Sequence, residues 1–147
     1  MDLLSRREHG RAELLWKLLQ KEHPRGEAEA ALDALEDLGL LNDLRAAQGL
    51  ARYYAELRGY GPRRLQQVLT RERRLPSDLV DQAIEALERD FSEACLDAAR
   101  RKGLKGSERK DEQRLLRYLV GRGYTPSQAY AALDIVRAER ADEDTGA

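Results

Sequence analysis

Two short segments carry the side chains best suited to chemistry with another molecule. They are Arg58-Gly59-Tyr60-Gly61-Pro62-Arg63-Arg64 and Arg122-Gly123-Tyr124-Thr125-Pro126. Each sets arginine beside an aromatic ring at a Gly/Pro restart of the chain. A guanidinium presents a planar fork of donors that fits a carboxylate or phosphate two bonds at a time, and Arg and Tyr are favoured at binding hot spots. That chemistry is recognition. A tyrosine in such a turn can equally staple two helices together, and an arginine can equally be part of a solvated face. The partner-binding candidates are Arg58, Tyr60, Arg63, Arg64, Arg71, Arg74, Arg114, Arg117, Arg122 and Tyr124.

No residue pattern assembles a catalytic centre. There is no Gly-rich phosphate loop and no nucleophile elbow. His9 and His23 stand apart with no cysteine near them, which fits helix ends better than a metal site. The single cysteine, Cys95, lies on an apolar stripe and reads as a small core residue. Trp16 flanks a leucine stripe and reads as packing. The expectation is a protein that is not an enzyme and holds no cofactor.

Charge is high at 36% of residues but is interleaved with apolar positions, which favours helices over disorder. Its distribution is uneven. Residues 1–57 are net −3, residues 58–122 net +5 and residues 123–147 net −3. A basic middle between acidic ends can steer an anionic or mixed-charge partner. One cysteine excludes an intrachain disulfide, no signal-peptide pattern opens the chain, and no apolar run approaches the ~20 residues that span a membrane. A monomer in the reducing cytoplasm is expected.

The elements that must position these groups are helices. Leu and Ala number 25 and 20, against nine Val, Ile and Thr together, so the composition favours helix over strand. Leu14, Leu18, Leu32 and Leu35 recur as Leu115, Leu119, Leu133 and Val136, each shifted by 101 residues. Halfway between stand Leu65, Leu69, Ile84 and Leu87. A pattern repeated on this scale predicts stacked units that share a core, and such arrays serve recognition more than pocket catalysis. The spacing predicts nine helices in three tandem three-helix repeats, an elongated array with room to curve. The repeats span residues 1–41, 42–89 and 90–140, followed by a disordered acidic tail, 141–147. The first helix is expected around Asp2–His9. Asn42-Asp43 caps the fourth, Pro62 opens the fifth, Leu75-Pro76 ends it, and Thr125-Pro126-Ser127-Gln128 is a capping-box start for the ninth. Within each repeat the last two helices are expected to pair antiparallel.

Three stretches go further. They are Ser5-Arg6-Arg7-Glu8-His9-Gly10-Arg11-Ala12-Glu13-Leu14, then Leu38-Gly39-Leu40-Leu41-Asn42-Asp43 followed by Arg58 to Leu65, and Arg114 to Leu119 with Arg122-Gly123-Tyr124. In this order and spacing the chain resembles the RecX family, bacterial regulators of the RecA recombinase. The resemblance implies three tandem three-helix repeats. It also implies binding along the RecA–single-stranded DNA filament, which lowers RecA's ATP hydrolysis, strand exchange and co-protease activity. That would place the chain in recombination, DNA repair and the SOS response, with weak direct DNA binding besides. The competing reading is a helical nucleic-acid-binding module acting through the basic central repeat.

Overall fold

The computed structural model describes residues 9–146, so the helix expected around Asp2–His9 lies outside the described residues save for its last position. Among the described residues the chain is all-helical, as expected. The helices are α1 (Arg11–Gln20), α2 (Arg25–Asp37), α3 (Asp43–Leu57), α4 (Pro62–Gln67), α5 (Ser77–Ala86), α6 (Phe91–Lys102), α7 (Arg109–Gly121) and α8 (Pro126–Thr145). A π-helical turn, Val68–Glu72, continues α4.

Local signals place most of the boundaries. The Asn42 side chain accepts from the Arg45 backbone N–H at 2.9 Å and starts α3. Asp90 does the same for α6 through Glu93. At α8 both halves of a capping box are present: Thr125 Oγ1 accepts from the Gln128 N–H at 3.2 Å, and the Gln128 side chain accepts from the Thr125 N–H at 2.9 Å. Each such cap satisfies amides that the first helical turn leaves without a partner.

Two stretches differ from the sequence expectation. The fifth helix is not regular throughout. The Thr70 hydroxyl donates to the Gln66 carbonyl four residues back at 2.6 Å, and the Arg73 N–H reaches the Val68 carbonyl, five back, at 3.0 Å. A hydroxyl bonded back into the ladder loosens it, and the widened turn lets Leu69 and Leu75 both enter the core before Pro76. The segment expected to be a disordered acidic tail, 141–147, carries the end of α8, which runs through Thr145. No glycine or proline interrupts the segment before Gly146, and its Ala and Glu residues are compatible with helix.

The chain divides into two compact units. One is built from the chain up to Leu57 together with Gln66–Glu88, and the other from Arg58–Leu65 together with the chain from Arg89 onward. In the first, Ala46, Ala47, Leu50, Ala51, Leu69, Leu75, Val80 and Ala83 form a core. The alanines of α3 and Ala83 of α5 let the two helices approach closely, and Tyr54 of α3 packs against the core they form. In the second, Cys95, Ala98 and Ala99 of α6 pack with Leu115 and Leu119 of α7 and with Ala129, Ala132, Leu133 and Val136 of α8. The recurring apolar positions Leu115, Leu119, Leu133 and Val136 thus all point inward. In the first unit α3 packs most extensively on α5, and in the second α6 on α8, beside the expected pairing of neighbours such as α7 with α8.

Candidate partner-binding site

In the second unit the two Arg-Gly-Tyr turns lie against each other. The Gly61 N–H donates to the Arg122 carbonyl at 2.8 Å and the Arg63 N–H to the Gly123 carbonyl at 2.9 Å. Tyr124 is 1% exposed, and its hydroxyl donates to the Gly59 carbonyl at 2.9 Å. The backbones touch because glycine stands on both sides. A Cβ on Gly61 would fall 2.5 Å from the Gly123 carbonyl carbon and 2.6 Å from the Tyr124 nitrogen. Gly123 combines the same crowding, against Arg64, with a φ of +101° that side chains rarely adopt.

Over this joint sit the charged groups. The guanidinium carbons of Arg64 and Arg122 each lie 5.3 Å from the centre of the Tyr60 ring, a cation–π distance. Arg58 and Arg63 are exposed on the same turn. The structure therefore brings Tyr60, Arg64 and Arg122 together, leaves Arg58 and Arg63 exposed in the same segment, and takes Tyr124 out as a buried staple beneath. Burial pushes the Tyr124 phenol above its ordinary pKa and Cys95 acts the same way, against the opposing charges of Arg89, Arg122 and Arg101. Those three charges mark Arg89 and Arg101 as further basic neighbours that the motifs did not single out. Arg114 and Arg117 are exposed on α7. Cys95 is fully buried, and burial pushes its thiol up to about 11, so it is an inert core thiol.

Arg71 and Arg74 belong to the first unit and are exposed at the π turn. Of the two residues between them, Glu72 and Arg73, it is Arg73 that anchors the turn. The Arg73 Nε donates to both carboxylate oxygens of Glu13, at 3.1 and 3.0 Å, and its Nη1 donates to the Tyr54 hydroxyl at 3.2 Å. One signal was present in the sequence: Glu13 is a charge placed directly beside a leucine stripe, where burial demands a counter-ion. His9 lies at the entry to α1, with its Nε2 2.7 Å from the Lys17 Nζ.

Two exposed ion pairs tie α8 to its unit, Arg100 with Glu139 at 2.6 Å and Arg137 with Glu112 at 2.7 Å. The hydrogen bond from Arg137 holds Glu112 below the usual carboxylate pKa, and that from Arg100 does the same for Glu139. A carboxylate whose folded pKa is lowered stabilises the fold above its ordinary pKa and loses that contribution as pH falls through the lowered value. The melting-temperature gap between the wild type and the Glu112→Gln/Glu139→Gln variant is therefore expected to close between pH ~7 and pH ~2. It should be small throughout, because surface pairs contribute little. A gap independent of pH in thermal melts would contradict this assignment.

No helix among the described residues is long and apolar enough to cross a membrane. The family profile described as "RecX, first three-helix domain" matches residues 1–35, and the one described as "RecX, second three-helix domain" matches residues 42–84. The chain is 35% identical over 135 residues to the regulatory protein RecX of Vibrio campbellii, covering 90% of this chain and 86% of that one. It is 39% identical over 127 residues to that of Pseudomonas fluorescens, covering 85% and 81%. It is 36% identical over 144 residues to that of Halorhodospira halophila, covering 97% and 85%. Matches of this identity over most of both chains show that this protein belongs to the RecX family of regulatory proteins.

Proposed function

We propose that the chain binds the RecA filament on single-stranded DNA and lowers its ATPase, strand-exchange and co-protease activities without catalysing a reaction itself. In the cell this would restrain recombination, DNA repair and the SOS response in the cytoplasm. The observation that carries the reading is the cluster of Tyr60, Arg64 and Arg122, with Arg58 and Arg63 exposed beside it, on two hydrogen-bonded turns in a member of a family of regulators. Pre-positioned arginines around a ring lose little side-chain freedom on binding, which is what a hot spot needs. Arg71, Arg74, Arg114 and Arg117 are secondary contacts in this reading, the repeats at 1–41, 42–89 and 90–140 are its units, and the binding species is a monomer. Tyr124 organises the patch and does not touch the partner.

The test is a titration of this protein into its cognate RecA turning over ATP on single-stranded DNA. Suppression is expected at sub-stoichiometric ratios, with the Arg64→Glu/Arg122→Glu variant at least about tenfold less potent, a loss of the size expected when hot-spot residues are removed. Unchanged turnover at equimolar protein overturns the reading. The alternative, a nucleic-acid-binding module acting through the basic middle, predicts that charge reversal at Arg63, Arg64, Arg71 and Arg74 removes inhibition in step with DNA affinity. Inhibition that survives lost DNA affinity counts against that alternative.

A further inference from the structure

Trp16 is the chain's only tryptophan, and it is 43% exposed on α1. One guanidinium lies over this ring. The guanidinium carbon of Arg74 lies 4.7 Å from the centre of the Trp16 ring. Arg74 holds this place in a backbone conformation with φ +55°, which costs a non-glycine residue energy and is typical of functional positions. The π turn that delivers Arg74 also leaves Arg71 exposed, and such turns recur at functional sites. Beneath, the Glu13–Arg73–Tyr54 network fixes the same turn to α1, so the Trp16–Arg74 pair is preset.

An exposed indole next to a guanidinium, with a second arginine on the same turn, has the parts that hold an unpaired nucleobase. Flat aromatic faces stack bases of any sequence, and arginines add cation–π attraction and phosphate contacts. We propose that Trp16 and Arg74 form a stacking site for an unpaired base of single-stranded nucleic acid, with Arg71 placed to meet a backbone phosphate. The site shares Arg71 and Arg74 with the RecA reading but does not rest on it, because it is argued from Trp16 and the turn beside it and its test contains no RecA.

Because Trp16 is the only indole, its fluorescence reports the site directly. A deoxythymidylate dodecamer is expected to quench it at low salt. An abasic dodecamer with the same phosphates is expected to bind more weakly and leave the emission unchanged. By anisotropy with labelled oligomers, Trp16→Ala should weaken thymidylate binding by about tenfold or more and leave abasic binding unaltered. Arg74→Gly removes the guanidinium while suiting the positive φ, so it should stay folded by circular dichroism and show the same selective loss. The proposal is overturned by thymidylate binding without quenching, by equal affinity for the two oligomers, by no binding at all, or by a Trp16→Ala variant that binds thymidylate as the wild type does.

Discussion

Gly61→Ala is expected to lower the melting temperature by about 10 °C or more, at a cost of about 3 kcal/mol. Gly61 needs space, not conformational freedom. The new Cβ would meet backbone: the Gly123 carbonyl carbon at 2.5 Å, its oxygen at 2.6 Å and the Tyr124 nitrogen at 2.6 Å. None of these is the far end of a flexible side chain. Relief requires the two turns to separate, which lengthens the Gly61–Arg122 and Arg63–Gly123 hydrogen bonds together and draws the buried Tyr124 hydroxyl from the Gly59 carbonyl. Each bond contributes about 1 kcal/mol, and more when a buried group is left without a partner. Gly123→Ala should be worse still, because crowding against Arg64 adds to a φ of +101°. Gly26→Ala is the control: nothing lies within 4 Å of its Cβ position in α2, so it should be neutral or slightly stabilising. Thermal melts followed by circular dichroism decide the matter. A Gly61→Ala melt that overlays the wild type would show that the turns do not lock together. Since the joint also sets Tyr60, Arg64 and Arg122 side by side, the same variant should lose potency against RecA beyond its loss of folded protein.

What the sequence made legible is local. Helix starts at Asn42, Pro62 and Thr125 could be read because a capping side chain or a proline acts within one turn of itself. The inward positions Leu115, Leu119, Leu133 and Val136 could be read because helical period and burial are tied together. The likeness of the two Arg-Gly-Tyr turns was also visible. That they lean on each other was not: their contact is backbone to backbone across some sixty residues, and a glycine needed for close approach looks like one needed for a turn. For the same reason Tyr124 and Tyr60, equivalent in motif, differ in fate, one a buried staple and the other a ring beside two arginines. The π turn was hidden because Thr70 competes with the ladder only once Leu69 and Leu75 are both drawn into a core. Glu13 was legible as an anomaly, yet which of 21 arginines answers it was not.

That pairing carries the other large effect. Arg73→Met is expected to destabilise the first unit by about 3–5 kcal/mol, because it leaves the Glu13 carboxylate buried without its cation. The two side chains are 13% and 8% exposed, so water cannot replace the lost partner at little cost. Glu13→Leu should be comparably harmful, because it takes the carboxylate from a guanidinium whose side chain is 13% exposed. The Glu13→Leu/Arg73→Met double variant should recover most of the loss, since replacing a buried ion pair by apolar side chains is often neutral or stabilising. Urea unfolding of the four proteins measures this as a coupling energy of about 2 kcal/mol or more; additive losses would mean that the pair is solvated and contributes little. The pair also joins residues matched by the first RecX domain profile, 1–35, to residues matched by the second, 42–84, inside one compact unit. Glu13 is one helical turn from Trp16, and Arg73 is next to Arg74, so the ion pair fixes the π turn against α1. The double variant should therefore keep its stability while the Trp16 emission shifts towards that of a freely hydrated indole, separating the pair's role in positioning Arg74 from its contribution to folding.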